Sequence, residues 1–118
     1  MAARPRLICA SADLTEGGPG VRFQVEQGGE TVPAFVVRFR GRVRAYINRC
    51  QHVGIELDWL PGQFFDDSRL YLICATHGAA YRPDTGECAG GPCRGARLTA
   101  LPVSEREGAV FLEWKADD

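Results

Sequence analysis

Apolar residues along this chain occur in short runs between glycines and prolines, and they do not repeat at the spacing of a helix face. Short alternating or apolar runs with such punctuation are typical of β-strands. The pattern therefore predicts an all-β domain built from short strands. The predicted strands are residues 6–10, 21–25, 34–40, 42–48, 97–103 and 109–114.

Two of these runs predict a clear hairpin. Residues 34–40 and 42–48 flank Gly41, and apolar residues alternate with arginines on both sides of it. Because successive side chains of a strand point to opposite faces, we expect the arginines on solvated strand faces. These arginines are Arg38, Arg40, Arg42 and Arg44.

The centre of the chain is richer in turn-forming residues than the rest. It has turn signals at Pro61-Gly62, Asp84-Thr85-Gly86 and Gly90-Gly91-Pro92. Such punctuation leaves little room for long strands. We predict a single domain over residues 1–118. Its base is an antiparallel β-sandwich of about residues 1–47 and 95–118, and a loop-rich lobe of about residues 48–94 is inserted into it.

The composition is that of an ordinary globular domain: 118 residues, 45% hydrophobic, 25% charged and a formal charge of −1. A balanced charge provides no broad basic surface for nucleic acid. The first residues do not have the pattern of a secretory signal, and no apolar run approaches membrane-spanning length. We expect a cytoplasmic protein that binds neither nucleic acid nor a membrane.

Cysteine and histidine placement suggests a metal site. In a reducing compartment, cysteines more often bind metal than form a disulfide framework, and this chain has five. Its two histidines each follow a cysteine closely, as Cys50-Gln51-His52 and Cys74-Ala75-Thr76-His77. Two matched pairs supply two thiolates and two imidazoles. This is the ligand set of a Rieske 2Fe-2S cluster.

The sequence resembles the Rieske family through Cys50-x-His52, Cys74-x2-His77-Gly78 and Gly91-Pro92, over essentially its whole length. Within that family it is most similar to the small soluble bacterial Rieske ferredoxins. Respiratory members carry an extra cysteine after each ligand pair and begin with a membrane helix, and this sequence shows neither. The resemblance implies the sandwich fold and one 2Fe-2S cluster. It places Cys50 and Cys74 on the inner iron, and His52 and His77 on the outer, more exposed iron.

The resemblance also implies roles for residues around the cluster. Gly78 allows the chain to approach the cluster closely, and Pro92 caps the cluster edge. Partners are expected to dock at Val53, Gly54 and Pro92.

Two further positions bear on the reduction potential. High-potential members have a serine at the position of Ala79, so one hydrogen bond to a sulfur is missing. Tyr81 occupies the position at which those members have a tyrosine whose hydroxyl donates a hydrogen bond to a ligand-cysteine sulfur. The sequence does not decide whether Tyr81 makes this bond. We expect a potential in the lower half of the range of about −150 to +300 mV that Rieske centres span.

The function that this resemblance implies is one-electron transfer, with no catalytic residues. The expected partners are an NAD(P)H-dependent flavin reductase and a terminal oxygenase. One alternative is the small subunit of an assimilatory nitrite reductase. A different class of alternative is a structural zinc module for binding partners, because two cysteines and two histidines also form a zinc ligand set.

Three cysteines lie outside the predicted ligand set. Cys9 is expected to be a small buried hydrophobe within a strand. For Cys88 and Cys93 the alternatives are thiols near the cluster, a local disulfide or an additional redox site. Given the expected compartment, we favour thiols.

The segment between the ligand pairs is 21 residues long and contains one tryptophan and two phenylalanines. We expect these to form the core of the lobe, with a partner-docking role as the alternative. They are Trp59, Phe64 and Phe65.

Overall fold

The computed structural model describes residues 5–49, 56–58, 60–74, 78–91, 93 and 95–113. These residues contain ten β-strands and a short 3-10 turn at Ser11–Asp13. No helix in the described part is long and apolar enough to cross a membrane. The strands are β1 (Arg6–Ala10), β2 (Val21–Gln27), β3 (Glu30–Phe39), β4 (Arg42–Ile47), β5 (Leu72–Ile73), β6 (Ala80–Tyr81), β7 (Cys88–Gly90), β8 (Ala100–Leu101), β9 (Val103–Arg106) and β10 (Ala109–Leu112).

The strands form three sheets, and every strand pair within them is antiparallel. The strand orders are β1-β10-β9, β2-β3-β4-β8 and β5-β6-β7. The predicted all-β, antiparallel fold class is confirmed. The division into a base and an inserted lobe at residues 48 and 94 stays a prediction.

Most predicted strands are present, with different ends. β1 matches its predicted run, and β2 and β3 are longer than predicted. The prediction of one strand over residues 97–103 is wrong, because β8 ends at Leu101 and β9 begins at Val103. Pro102 lies between them, and a proline has no N–H to donate to a sheet ladder.

The three long hairpins close through two-residue turns in which both residues have positive φ. At the predicted β3–β4 hairpin these are Arg40 at 53° and Gly41 at 76°. Two positive φ values define a type I′ turn, whose twist matches that of the flanking strands. The turn therefore fixes the register in which Phe39 pairs with Arg42.

Strand β3 is buried on both faces, so that it contributes to two hydrophobic cores. Phe35 and Val37 point into one core, and Ala34 and Val36 point into the other. All four residues are 0% exposed. Side chains alternate along a strand, and a continuous apolar run is therefore the sequence signal of a strand covered on both sides.

The two hydrophobic cores lie on opposite faces of β3. The first core lies between the sheet of β1, β10 and β9 and the sheet of β2, β3, β4 and β8. It contains Cys9, Leu14, Val25, Val32, Ala34, Val36, Ala45, Ile47, Leu101, Val110 and Leu112. The second core lies on the other face of β3 and contains Phe35, Val37, Tyr46, Leu57, Phe64, Leu72, Cys74, Ala79, Tyr81, Cys93 and Leu98. The prediction that Cys9 is a buried hydrophobe is confirmed.

Aromatic packing joins β3 to the long segment before Cys74. The rings of Phe35 and Phe64 are stacked, with centroids 4.0 Å apart and planes 13° apart. Phe65 is half-buried and stacks on Phe39. The expectation that Phe64 belongs to the core is confirmed, and Trp59 lies outside the described residues.

Tyr46 fixes the turn between β6 and β7 to the central sheet. Its hydroxyl donates a 2.7 Å hydrogen bond to the carbonyl oxygen of Pro83. Burial raises the pKa of Tyr46 to about 12, so the hydroxyl keeps its proton and remains a donor at neutral pH.

The expectation for the arginines of the hairpin is only partly correct. Arg40 and Arg42 are exposed, whereas Arg38 and Arg44 are half-buried. Arg38 is oriented toward the edge of the first core, where its two terminal nitrogens lie 2.9 and 2.5 Å from the carboxylate oxygens of Glu105. It also donates to the carbonyl of Leu14. The position of Arg38 is explained by this ion pair, which joins β3 to β9.

The Arg38–Glu105 pair predicts a pH dependence of stability. Hydrogen bonds from Arg38 lower the pKa of Glu105 to about 2. A carboxylate whose pKa is lower in the folded state stabilises the fold above its ordinary pKa of about 4.5, and this contribution is lost as the pH falls toward 2. We expect Glu105→Gln to lower the free energy of unfolding by about 1 kcal/mol at pH 7.

Urea unfolding at pH 7 and at pH 3 measures this effect. The difference between Glu105→Gln and the parent protein should shrink at pH 3. Glu30→Gln, at an exposed carboxylate of β3, is the matched control and should change stability little at either pH. A difference that is equal at both pH values would contradict the assignment.

Candidate metal centre

One of the four predicted ligands, Cys74, belongs to the described residues. Cys50, His52 and His77 lie outside them, as do Val53, Gly54 and Pro92. The roles predicted for those six residues stay predictions. The described residues on either side of them show how the structure holds the two ligand segments.

Cys74 directly follows β5 and is 0% exposed, within the second core. Its N–H donates to the carbonyl of Ala79 at 2.8 Å, and its carbonyl accepts from the N–H of Gly78 at 2.8 Å. These two hydrogen bonds hold the ends of the second ligand segment together. A thiol fixed in this way is positioned by the sheet and the core.

The backbone at Gly78 leaves space next to this segment. Gly78 is exposed, has φ of 74°, and no atom of the described residues lies within 4 Å of the place where a Cβ would stand. A positive φ favours glycine. The predicted role of Gly78, which is to allow close approach of a bound group, stays a prediction.

The loop after β7 packs directly on the second ligand segment. A Cβ added at Gly91 would lie 2.7 Å from the carbonyl oxygen of Gly78 and 3.1 Å from the Cα of Ala79. Gly91 also has φ of 81°. Only glycine fits this contact, and the backbone of the Gly90-Gly91 loop therefore forms one wall of the segment.

Ala79 and Tyr81 are both 0% exposed and share the second core with Cys74. β6 brings Tyr81 opposite Leu72, two residues before Cys74. A methyl group at position 79 provides no hydrogen-bond donor. The roles predicted for these two residues at the cluster sulfurs stay predictions.

A buried polar clamp fixes both ends of the first ligand segment. Asn48 is 1% exposed and the Asp58 side chain 0%. Asn48 Nδ2 donates to Asp58 Oδ1, and Asn48 Oδ1 accepts from the N–H of Leu57, both at 2.9 Å. Asp58 Oδ2 accepts from the N–H of Gly62 at 2.9 Å. Residues 50–55 therefore lie between two anchored ends.

The clamp is tied to the central sheet and to a surface arginine. The N–H of Asn48 donates to the carbonyl of Pro33 in β3 at 2.8 Å. Arg22 Nε lies 3.4 Å from Asp58 Oδ2, and Arg22 also bonds Glu56. A buried carboxylate needs such partners because an unpaired buried charge is costly. Sequence reasoning missed this clamp, whose only signal was a polar residue directly after an apolar strand.

The expectation of thiols at Cys88 and Cys93 is wrong, because these residues form a disulfide with Cα atoms 5.6 Å apart. The β6–β7 pairing and the turn after β7 bring the two residues together. The sequence argument relied on the expected compartment, whereas local backbone geometry decides which cysteines meet.

The described residues fit the predicted cluster. The Cys74 side chain is buried in an apolar core, and no atom of the described residues lies within 4 Å of a Cβ added at Gly78. The anchored segments carry the two Cys/His pairs, whose sulfur and nitrogen donors match a Rieske 2Fe-2S group.

Comparisons with known proteins agree with this geometry. The family model described as Rieske [2Fe-2S] domain matches residues 5–105. A search of curated protein sequences finds no match.

Solved structures with a similar fold include ferredoxins and an oxygenase–ferredoxin complex. The ferredoxin of Sphingomonas yanoikuyae B1 has a TM-score of 0.72 at 21% identity, covering 95% of this chain and 100% of that one. The ferredoxin of carbazole 1,9a-dioxygenase from Nocardioides aromaticivorans IC177 has a TM-score of 0.71 at 23% identity, covering 93% and 97%. A complex of reduced oxygenase and oxidised ferredoxin in carbazole 1,9a-dioxygenase has a TM-score of 0.69 at 25% identity, covering 90% and 89%.

The contact at Gly91 predicts a specific effect of one methyl group. Gly91→Ala should destabilise the protein by about 2–3 kcal/mol, because the new Cβ meets the Gly78 carbonyl and the φ is unfavourable. Gly90→Ala is the matched control, since no described atom lies within 4 Å of its added Cβ. Urea unfolding and the iron content per chain measure the effect. Equal behaviour of the two variants would contradict the contact.

The buried clamp predicts that Asn48→Ala costs about 2–3 kcal/mol of unfolding free energy, because it leaves the Leu57 N–H and Asp58 Oδ1 without their partner. Arg22→Met should cost less than about 1 kcal/mol, because Arg22 is exposed and Asp58 keeps its hydrogen bonds from Asn48 and Gly62. Urea unfolding compares the two variants. A loss for Arg22→Met as large as that for Asn48→Ala would show that the ion pair holds the segment instead.

Proposed function

This chain belongs to the Rieske [2Fe-2S] domain family, and from this membership we propose that it is a small ferredoxin that carries one electron at a time. The donor is a flavin reductase that oxidises NAD(P)H, and the acceptor is a terminal oxygenase. The observation that carries the proposal is the occurrence of both Cys/His pairs inside the region that the family model matches.

The residues that would hold the cluster are Cys50, His52, Cys74 and His77. When bound, a Rieske cluster takes up and releases one electron at a potential set by its ligands and their hydrogen bonds. Burial of the Cys74 side chain in the second core supports its proposed place on the inner iron. The family resemblance puts the imidazole ligands His52 and His77 on the outer iron, on the side that faces a partner.

The chain's own residues keep the cluster position fixed. The Asn48–Asp58 clamp anchors the first ligand segment, and the Cys74–Gly78 turn anchors the second. Ligands that are held in fixed positions rearrange little when the cluster gains or loses an electron. Partners dock over Val53, Gly54 and Pro92, next to the imidazoles.

An oxygenase as the electron acceptor is supported by one of the structural neighbours. That neighbour is a ferredoxin in complex with its oxygenase, and its fold matches this chain at 25% identity. Ala79 offers no hydroxyl to a cluster sulfur, so we place the potential in the lower half of the Rieske range. A low potential suits a carrier that is reduced from NAD(P)H.

Electron paramagnetic resonance of anaerobically purified protein, before and after dithionite, tests the proposal. The oxidised protein should be silent, and the reduced protein should give a rhombic signal with a low average g value. Chemical analysis should find about two iron and two acid-labile sulfide per chain. His52→Cys should lose the signal, and Cys9→Ser, which changes a buried cysteine of the first core, should keep it.

Two other outcomes would overturn the proposal. Stoichiometric zinc without a signal would assign the ligands to a structural zinc site. A Rieske signal in a protein that neither accepts electrons from a flavin reductase nor delivers them to an oxygenase would keep the cluster and reject the proposed partners.

A further inference from the structure

The Cys88–Cys93 disulfide is unequally accessible at its two sulfurs. Cys88 is half-buried in β7, whereas Cys93 is 2% exposed and belongs to the second core. An external thiol therefore reaches the sulfur of Cys88 first. In thiol–disulfide exchange the accessible sulfur is attacked, and the other sulfur leaves.

Backbone carbonyl oxygens lie close to both sulfurs of the disulfide. Cys93 Sγ lies 3.2 Å from the carbonyl oxygen of Gly90 and 3.5 Å from that of Ala80. Cys88 Sγ lies 3.6 Å from the same Gly90 oxygen. A disulfide sulfur has no hydrogen to donate, but each thiol formed by reduction has an acceptor within reach. Reduction would therefore form the thiols next to hydrogen-bond acceptors.

The disulfide closes the loop that packs on the second ligand segment. Gly90 and Gly91 lie between the two cysteines, and Gly91 is in contact with Gly78 and Ala79. Gly90 pairs with Ala80 across the β6–β7 ladder, where the register shifts. Opening the disulfide removes one covalent restraint from this wall while the two sheets of the sandwich stay intact.

The restraint is local, because the cysteines are only five positions apart. A disulfide that closes a short loop restricts the unfolded chain less than one that closes a long loop. Reduction should therefore change the motion of one loop more than it changes the stability of the whole domain.

We propose that Cys88 and Cys93 form a reversible thiol–disulfide site, and that its reduction by a dithiol loosens the segment that carries Cys74 and His77. The dithiol is a protein with paired cysteines or a small dithiol molecule. The consequence for the cluster rests on the proposed function, whereas the exchange chemistry does not.

The exchange balances without a further reactant. A thiolate of the dithiol attacks Cys88 Sγ, the S–S bond breaks, and Cys93 leaves as a thiolate that takes up a proton. The second thiol of the reductant then attacks the mixed disulfide, and Cys88 is released as a thiol. The two cysteines gain two electrons and two protons, and the reductant becomes a disulfide.

The first experiment measures the exchange in the native holoprotein. Samples are equilibrated anaerobically with dithiothreitol at graded ratios of its reduced and oxidised forms, and their visible absorption is recorded. They are then quenched with acid and alkylated after unfolding, because Cys93 is buried in the folded protein. The masses of the peptides that contain Cys88 and Cys93 are then determined. Both cysteines should become labelled over a single two-electron transition while the visible absorption of the cluster persists. Absence of labelling at any ratio would overturn the proposal.

The second experiment measures the loop. Hydrogen exchange of the peptide covering residues 72–81 should become several-fold faster after reduction, and the release of iron to a chelator should accelerate at least threefold. The Cys88→Ser/Cys93→Ser variant should behave as the reduced protein without dithiol. Cys9→Ser is the control and should match the untreated parent. Reduction that leaves both rates unchanged would reject the link to the ligand segment.

These readouts separate the two proposals. A protein that lacks iron and sulfide would contradict the proposed function, but alkylation and hydrogen exchange would still report on the disulfide. If the double serine variant does not fold, the parent protein with and without dithiothreitol supplies the same comparison.

Discussion

The rest of the structure depends on a central strand, β3, that is buried on both faces. Phe35 and Val36 are adjacent in sequence and both 0% exposed, yet they belong to different cores. One face of β3 therefore packs in the core of the sandwich, and the other face packs in the core of the loop-rich region. Loops have little hydrophobic surface of their own, and those around Cys74 gain their core from the ring of Phe35 and its stack on Phe64. This is why a region with only two- and three-residue strands is held in place.

Specific contacts position the two ligand segments, because few ladder hydrogen bonds are available there. The first segment is anchored by a fully buried amide–carboxylate pair, Asn48 and Asp58. The second is anchored by a hydrogen-bonded turn at Cys74 and by the close backbone approach of Gly91. In both cases a loop gains fixed geometry from satisfied polar groups, since a buried donor or acceptor without a partner is costly. The same contacts suit electron transfer, which needs fixed ligands at an exposed edge and no substrate pocket.

The disulfide adds a second kind of redox chemistry next to the candidate cluster. A Rieske centre exchanges single electrons, whereas Cys88 and Cys93 exchange two electrons with a dithiol. Their loop touches the turn after the predicted ligand His77. Reduction of the disulfide would therefore change how firmly this turn is held. The proposed carrier would thus hold its cluster most firmly when dithiol reductants are scarce.

The sequence alone determined the all-β class, the β3–β4 hairpin and the two Cys/His pairs, because strand alternation, a turn glycine and ligand spacing are local signals. It also placed Cys9 and Phe64 in the core from their apolar character. Only the tertiary structure decided that Arg38 pairs with Glu105, that Asn48 bonds Asp58, and that Cys88 bonds Cys93. Each of these depends on two side chains meeting across turns or sheets. A residue's own chemistry says that it needs a partner, but the folded backbone decides which partner lies within reach.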